Sequence, residues 1–342
     1  MDSSLLTFST LVLLLLSPVG WGGCSHTVVA PAPVKLTESP VVKLPLGGDL
    51  ASADAEVSGL AWAGDDLILL PQFPDFGARA PRLFILPKAE LETHLGGGGG
   101  PLTPRDLRVE PVDVMPKIPH FQGFEAIVVE GERVWLAVEC MDLTRQMSGF
   151  IIPGEISPDH TLLTLHPDRG VVVPVPVQNF NTSFEALTLT SDGLYAFFEA
   201  NSPSLVPHPV VRHFSFDLQP LPDINIAAIN YRVTDAAAAV GGQETWVVNY
   251  FYPGSEEYAV ERDDLAWTYG VGPTHAKYPH VERLLRLELG PGGFGVVAEP
   301  PRYLELEKDS RNWEGLALWP GKGFLMVTDK FPGTVLGFVA LP

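Results

Sequence analysis

Cysteine is nearly absent. The 342 residues hold two, Cys24 and Cys140, and if Cys24 is modified Cys140 has no partner and no disulfide forms. Charge is also scarce, at 18% of residues, and bases are the scarcer kind, 22 Lys and Arg against 41 Asp and Glu. The resulting net charge of −19 disfavours nucleic acid and anionic membrane surfaces as partners and favours cations; a merely soluble acidic surface would read the same way. The apolar run Leu5–Leu16 falls short of the roughly 20 residues of a membrane-spanning helix. The glycine run Gly96–Gly100 is not followed by Lys-Ser or Lys-Thr, which rejects a P-loop and leaves a surface loop.

Glycine and proline are plentiful, 33 of each, beside 46% hydrophobic residues. That combination fits many short strands joined by turns around a sizeable core, and one all-β domain can be this long. A repeated unit supports it. Asn312-Trp313-Glu314-Gly315-Leu316 leads through a glycine turn to Gly323-Phe324-Leu325-Met326-Val327-Thr328-Asp329, and four upstream stretches have the same shape. Ser58 to Gln72, Glu125 to Glu139, Glu185 to Glu199 and Asp235 to Asn249 are each 14 residues apart, and Glu314 to Asp329 is 15. A hairpin recurring at intervals of 50–79 residues suggests a radial array. The expected fold is a five-bladed β-propeller, or six-bladed if the long gaps hide a degenerate unit. The fifth unit lacks a fourth strand and Val41–Leu46 is a spare one, so the N-terminal strand is expected to close the last blade, which removes exposed sheet edges.

The N-terminus reads as a secretory signal over 1–23, set aside from fold reasoning, although Asp2 stands where a base is usual. Gly22-Gly23-Cys24 resembles a bacterial lipobox, with Cys24 as the lipidation site. The alternative is an ordinary secreted protein with Cys24 near the cleavage point. Residues 24–40 read as an extended tether and 41–342 as the propeller. The expected location is the bacterial cell envelope, as an outer membrane lipoprotein or in the periplasm. The membrane is then touched only through the N-terminal anchor, and the protein is expected to be a monomer.

In a propeller the start of each inner strand and the end of the next strand meet at one mouth of the central channel. The repeat places Ser58, Glu125, Glu185, Asp235 and Glu314 at the first position, and Gln72, Glu139, Glu199, Asn249 and Asp329 at the second. Side chains alternate along a strand, so if Phe124, Phe184 and Trp313 wedge between blades, their neighbours point into the channel. Carboxylates this close do not all stay ionised without compensation. No base recurs in the unit, and Ca²⁺, a hard cation with 6–8 oxygen ligands, answers the need. Zinc fits less well because no His or Cys recurs. Ser58, Glu125, Glu185, Asp235 and Glu314 are the expected metal ligands, with Gln72, Asn249 and Asp329 on the rim. Capping of backbone N–H groups is the competing explanation for one or two of them. His275 to His280 reads as a polar loop, Cys140 as inert, and Asn181-Thr182-Ser183 fits a glycosylation sequon.

Ser58-Gly59-Leu60, Gly123-Phe124-Glu125-Ala126-Ile127, Ser183-Phe184-Glu185-Ala186-Leu187 and Asn312-Trp313-Glu314-Gly315-Leu316 together resemble the phytase-like propeller family, also called the esterase-like activity of phytase family. The similarity spans about residues 41–341. Gln72 and Asn249-Tyr250 depart from the acidic and Glu-Arg endings usual in that family. The resemblance implies a calcium-dependent phosphoric-ester or carboxylic-ester hydrolase acting on a small-molecule ligand. Calcium would polarise the ester, and Glu139 or Glu199 would act as general base. The rival expectation is a non-catalytic propeller that binds a ligand or protein on its top face with Ca²⁺ as a structural ion. Arg145, Arg262, Lys277 or Lys330 over the ring would favour the hydrolase. The insertion Tyr250–Pro279 is expected to lie over the same face, as a lid or a substrate-selecting element.

Overall fold

The computed structural model describes residues 34–239 and 242–341. The leader over 1–23, Cys24 and the start of the 24–40 tether lie outside the described residues. Among those described, no helix is long and apolar enough to cross a membrane.

Short apolar runs bounded by glycine turns are read as buried strands, and here they form five hairpins. The inner strands are Val57–Ala63, Phe121–Glu130, Phe184–Thr190, Arg232–Ala238 and Trp313–Trp319. Each pairs antiparallel with the strand that follows it: Asp66–Pro71, Arg133–Met141, Gly193–Phe198, Glu244–Phe251 and Gly323–Thr328. Each inner strand touches the next, and the fifth touches the first, so the ring is closed. Trp62 Nε1 donates to Leu318 O at 2.9 Å across that last contact. Further strands pair outward from each hairpin, which gives an all-β propeller.

The outer strands vary more. Arg105–Glu110 pairs parallel with Leu162–Leu165 and merges the first two hairpin systems into one nine-stranded sheet. The last hairpin is extended by Leu336–Ala340, whose outer edge is paired by Val42–Leu44 near the N-terminus, with Lys43 opposite Gly337. The cores lie between successive hairpins. Phe124 packs with Ile68 and Leu70, Phe184 with Trp135 and Phe198, and Trp313 with Val248 and Tyr250. These are the wedge positions that the repeat suggests.

Every inner strand carries a β-bulge near its start. Val57 faces Pro71 and Gly59 faces Leu70, leaving Ser58 as the extra residue. Glu125, Glu185 and Glu314 are the extra residues of the second, third and fifth hairpins. In the fourth, Val233 faces Asn249 and Asp235 faces Val248, so the extra residue is Thr234. The spacing of 14 that aligns Asp235 with Asn249 is therefore a frame error. The equivalent pair is Thr234 and Tyr250, because this hairpin is two residues longer. A one-residue slip turns a side chain to the opposite face, so the frame decides what each residue does.

Residues 34–40 do not hang free of the propeller. Lys35 and Leu36 N–H groups donate to Val271 O, and Ser39 exchanges hydrogen bonds with Tyr303 and Glu305. The Glu38 carboxylate accepts from the Thr274 amide and hydroxyl, the latter at 2.7 Å, and from the His275 amide at 2.9 Å. His275 Nδ1 donates to it at 2.8 Å, while His275 Nε2 accepts from the Glu282 amide. Burial holds His275 down at about 4, so the ring is neutral and both nitrogens are used. A side chain at Gly272 would run into Glu38.

The insertion expected as a lid or a substrate-selecting element is bolted down by the same means. Tyr258 is buried in the core with Phe184 and Phe198. Asp263 caps the helix Asp264–Tyr269 and pairs with the fully buried Arg283 at 2.6 Å. Glu38→Ala leaves four donors without their acceptor. Its cost is expected to be about 2–3 kcal/mol, the range for a buried hydrogen-bonded charge, read as a lowered melting temperature. An unchanged melting curve would mean that 34–40 contributes nothing to the fold.

Candidate functional site

The bulges turn four of the five extra residues toward one point. Ser58, Glu125, Glu185 and Glu314 line a cavity of about 90 Å³ at the mouth of the channel. The ends of the second strands add Gln72, Glu139 and Asp329, and the loops before the inner strands add Asn181 and Asn312. Gly123 lets this wall close, because a Cβ there would meet both Gln72 and Glu125. Ser58 also ties the first and second inner strands together, donating to Phe124 O at 2.5 Å. Thr234 does the same for the fourth and fifth inner strands through Trp313 O at 2.6 Å.

The cavity holds five carboxylates and one base, Arg232. Burial raises the Glu125, Glu185 and Glu314 carboxyls well above their ordinary values. The next contribution comes from the neighbouring charges of Glu139, Glu199 and Asp329 respectively. Burial and the charge of Glu199 push Glu139 up to about 7. Burial also raises Asp329. Glu125 Oε1 accepts from Gln72 Nε2 at 3.2 Å. Glu185 Oε2 and Asp329 Oδ1 are buried with no hydrogen-bond partner among the described residues.

Three expected site residues lie elsewhere. Asp235 sits outside the cavity wall. Its carboxylate accepts from the Leu316 amide at 2.6 Å and the Ala236 amide at 2.8 Å, which is the backbone-capping role. Asn249 is fully buried in another network, donating to Asn230 O and Arg232 O and accepting from Arg283 Nε at 2.7 Å. Both corrections follow from the frame of the fourth hairpin. Glu199 stands behind the wall, fully buried, pairing with Arg232 at 2.7 Å and accepting from Tyr258 OH at 2.9 Å. It positions Arg232 and does not itself line the cavity. Cys140 is buried, and burial pushes its thiol up to about 12.

Arg232 is the residue that the repeat conceals. It lies over the Tyr258 ring at 4.7 Å and donates to Ser255 Oγ. Its place two residues before Thr234 becomes visible only in the corrected frame. Arg145, Arg262, Lys277 and Lys330 are engaged elsewhere, with Phe180, Asp264, Tyr278 and Glu56. Asn181 enters the cavity from a left-handed backbone conformation, φ 53°, which Asn tolerates better than most residues.

The donors are all oxygens suited to a hard cation: carboxylates, amides and a hydroxyl. Among the described residues, however, no three acidic, His or Cys groups are drawn together closely enough to hold an ion as they stand. In donor type, though not in present spacing, the wall suits Ca²⁺.

The raised carboxyls set the sign of the pH dependence. The folded state binds protons that the unfolded chain releases, so without cation stability should fall as pH rises from about 4.5 through about 7. Glu185→Gln should raise the melting temperature in chelator at pH 7.5 and weaken any calcium-induced rise by at least about tenfold in affinity. A fall in both conditions would identify Glu185 as a structural cap.

No known family profile matches the chain, and no curated protein matches it. Among solved structures it is similar to a glucose dehydrogenase, at 15% identity and TM-score 0.46 over 88% of this chain and 99% of that one. It is also similar to the GH43_1 enzyme from Xanthomonas citri, at 11% identity and TM-score 0.49 over 87% and 91%. A third is the soluble aldose sugar dehydrogenase from Escherichia coli, at 12% identity and TM-score 0.43 over 85% and 98%. Likenesses this loose carry no argument about chemistry, and the propeller arrangement rests on the sheets and the closed ring of inner strands.

Proposed function

We propose that the chain is a five-bladed, phytase-like propeller that binds Ca²⁺ in the acidic cavity and hydrolyses phosphate or other esters at that mouth. The nine-stranded sheet counts as two blades in this reading, and the strand Val42–Leu44 completes the fifth. One observation carries the proposal: five carboxylates share a buried cavity with a single base, and two of their buried oxygens have no partner. Bound there, Ca²⁺ supplies a Lewis acid that polarises an ester oxygen and lowers the pKa of a water.

This chain's own residues supply the remaining roles. Glu139, with its carboxyl near 7, is poised to take a proton from the attacking water at neutral pH. Arg232, held by Glu199 and Tyr258, faces both the cavity and a wider groove beside it. In this reading the guanidinium would face the negative charge that develops on the ester. The non-catalytic reading has one observation in its favour, because about 90 Å³ admits an ion and a little water but no substrate.

The test is turnover of 4-nitrophenyl phosphate and 4-nitrophenyl acetate with calcium and with chelator. Calcium-dependent release of nitrophenol from one of them is expected, and Glu139→Gln should reduce it by about 100-fold or more while the calcium-induced thermal shift persists. A calcium-induced thermal shift without turnover of either ester would leave the ligand-binding propeller. We also propose an exported protein held at the cell envelope by a lipid on Cys24. Metabolic labelling with a fatty-acid probe should mark the chain and be lost in Cys24→Ser, whereas an unlabelled chain would return the leader to an ordinary secretory signal.

A further inference from the structure

Beside the acidic cavity lies a groove of about 800 Å³ that shares Arg232 and Asn312 with it. Its size suits a small molecule, where the cavity suits an ion. Two aromatic side chains stand exposed on its wall, Tyr252 at 48% and Phe331 at 65%. Pro253, Pro279 and Pro332 add further apolar surface. Large aromatics left in water at the wall of a concave site mark a surface that binds.

The charges in the groove are few and nearly cancel. Arg232 is already paired with Glu199 at 2.7 Å. Lys308 makes no ion pair among the described residues, and Asp309 lines the groove beside it. His280 is buried, and burial keeps it below its ordinary value of 6.5 and so neutral near pH 7. A ligand with several negative charges would meet one free cation, one carboxylate and the five acidic groups of the adjoining cavity.

We propose that the groove receives the ring-bearing part of a weakly charged ester, a monoester with an aromatic or similarly flat group. The ring lies against Tyr252 and Phe331, and the ester group points to Arg232 and the cavity mouth. The inference rests on the hydrolase reading for its orientation, but binding in the groove does not require turnover.

Titration calorimetry with the whole protein in calcium tests it, using inorganic phosphate, phenyl phosphate and fructose 1,6-bisphosphate as probes. Phenyl phosphate should bind at least about tenfold more tightly than either of the others, the scale of one well-placed aromatic contact. Tyr252→Ala and Phe331→Ala, both at exposed positions, should each remove most of that advantage. Equal affinities for phenyl phosphate and inorganic phosphate, tighter binding of the bisphosphate, or an unchanged preference in both variants would overturn the proposal. Tight, Tyr252-dependent binding of phenyl phosphate without hydrolysis would keep the groove and remove the hydrolase. Hydrolysis of phenyl and methyl phosphate at equal kcat/KM, insensitive to Tyr252→Ala, would keep the hydrolase and remove the groove.

Discussion

Six carboxylates and one guanidinium crowd the top of the channel, counting Glu199 behind the wall. Two like charges 4 Å apart repel by about 4 kcal/mol at the effective dielectric of a protein site. Even one such pair is a sizeable part of the stability of an ordinary domain, about 5–15 kcal/mol. The folded chain therefore exists with this wall only if protons, Arg232 or a cation offset the repulsion. The raised carboxyls record the first of these and the Glu199–Arg232 pair the second. Glu185 Oε2 and Asp329 Oδ1 have neither a donor nor a base against them among the described residues.

The β-bulge brings the charges together. In a regular strand Glu125 would follow Phe124 to the opposite face and sit one pleat away from its neighbours. The extra residue breaks that alternation and re-aims the side chain, a use of bulges common beside functional sites. Repeating the device five times gives a ring, and the chain varies what stands on it. Three positions carry Glu. The other two carry Ser58 and Thr234, whose hydroxyls bind a carbonyl of the neighbouring inner strand. The ring is thus charged on three sectors and stitched on two.

The wall depends on contacts behind it. Tyr258 arrives from the insertion after the fourth hairpin, donates to Glu199 and lies under Arg232. Arg283, fully buried, links Asn249 to Asp263 at the foot of the same insertion. Glu38 pins the start of the described chain to Thr274 and His275. A segment expected as a lid or a substrate-selecting element is held at three points, and its residues Tyr252 to Ser255 form part of the wall of a groove.

The strands, the wedge aromatics Phe124, Phe184 and Trp313 and most of the acidic wall were legible in the sequence, because a short apolar run between glycine turns has few ways to bury itself. Glu125, Glu139, Glu185, Glu314 and Asp329 were legible because their frame is shared by four hairpins. The fourth hairpin misled, since a spacing of 14 residues fits Asp235 and Asn249 as readily as a longer hairpin fits Thr234 and Tyr250. Pairing across the sheet decides between them, and no spacing along the chain records it. Arg232, Asn181 and the roles of Tyr258 and Glu199 were likewise decided by tertiary structure. They act through neighbours as distant in sequence as the 59 residues between Glu199 and Tyr258. Local sequence determines which residues form strands and which faces are apolar; only the closed ring determines which charges meet.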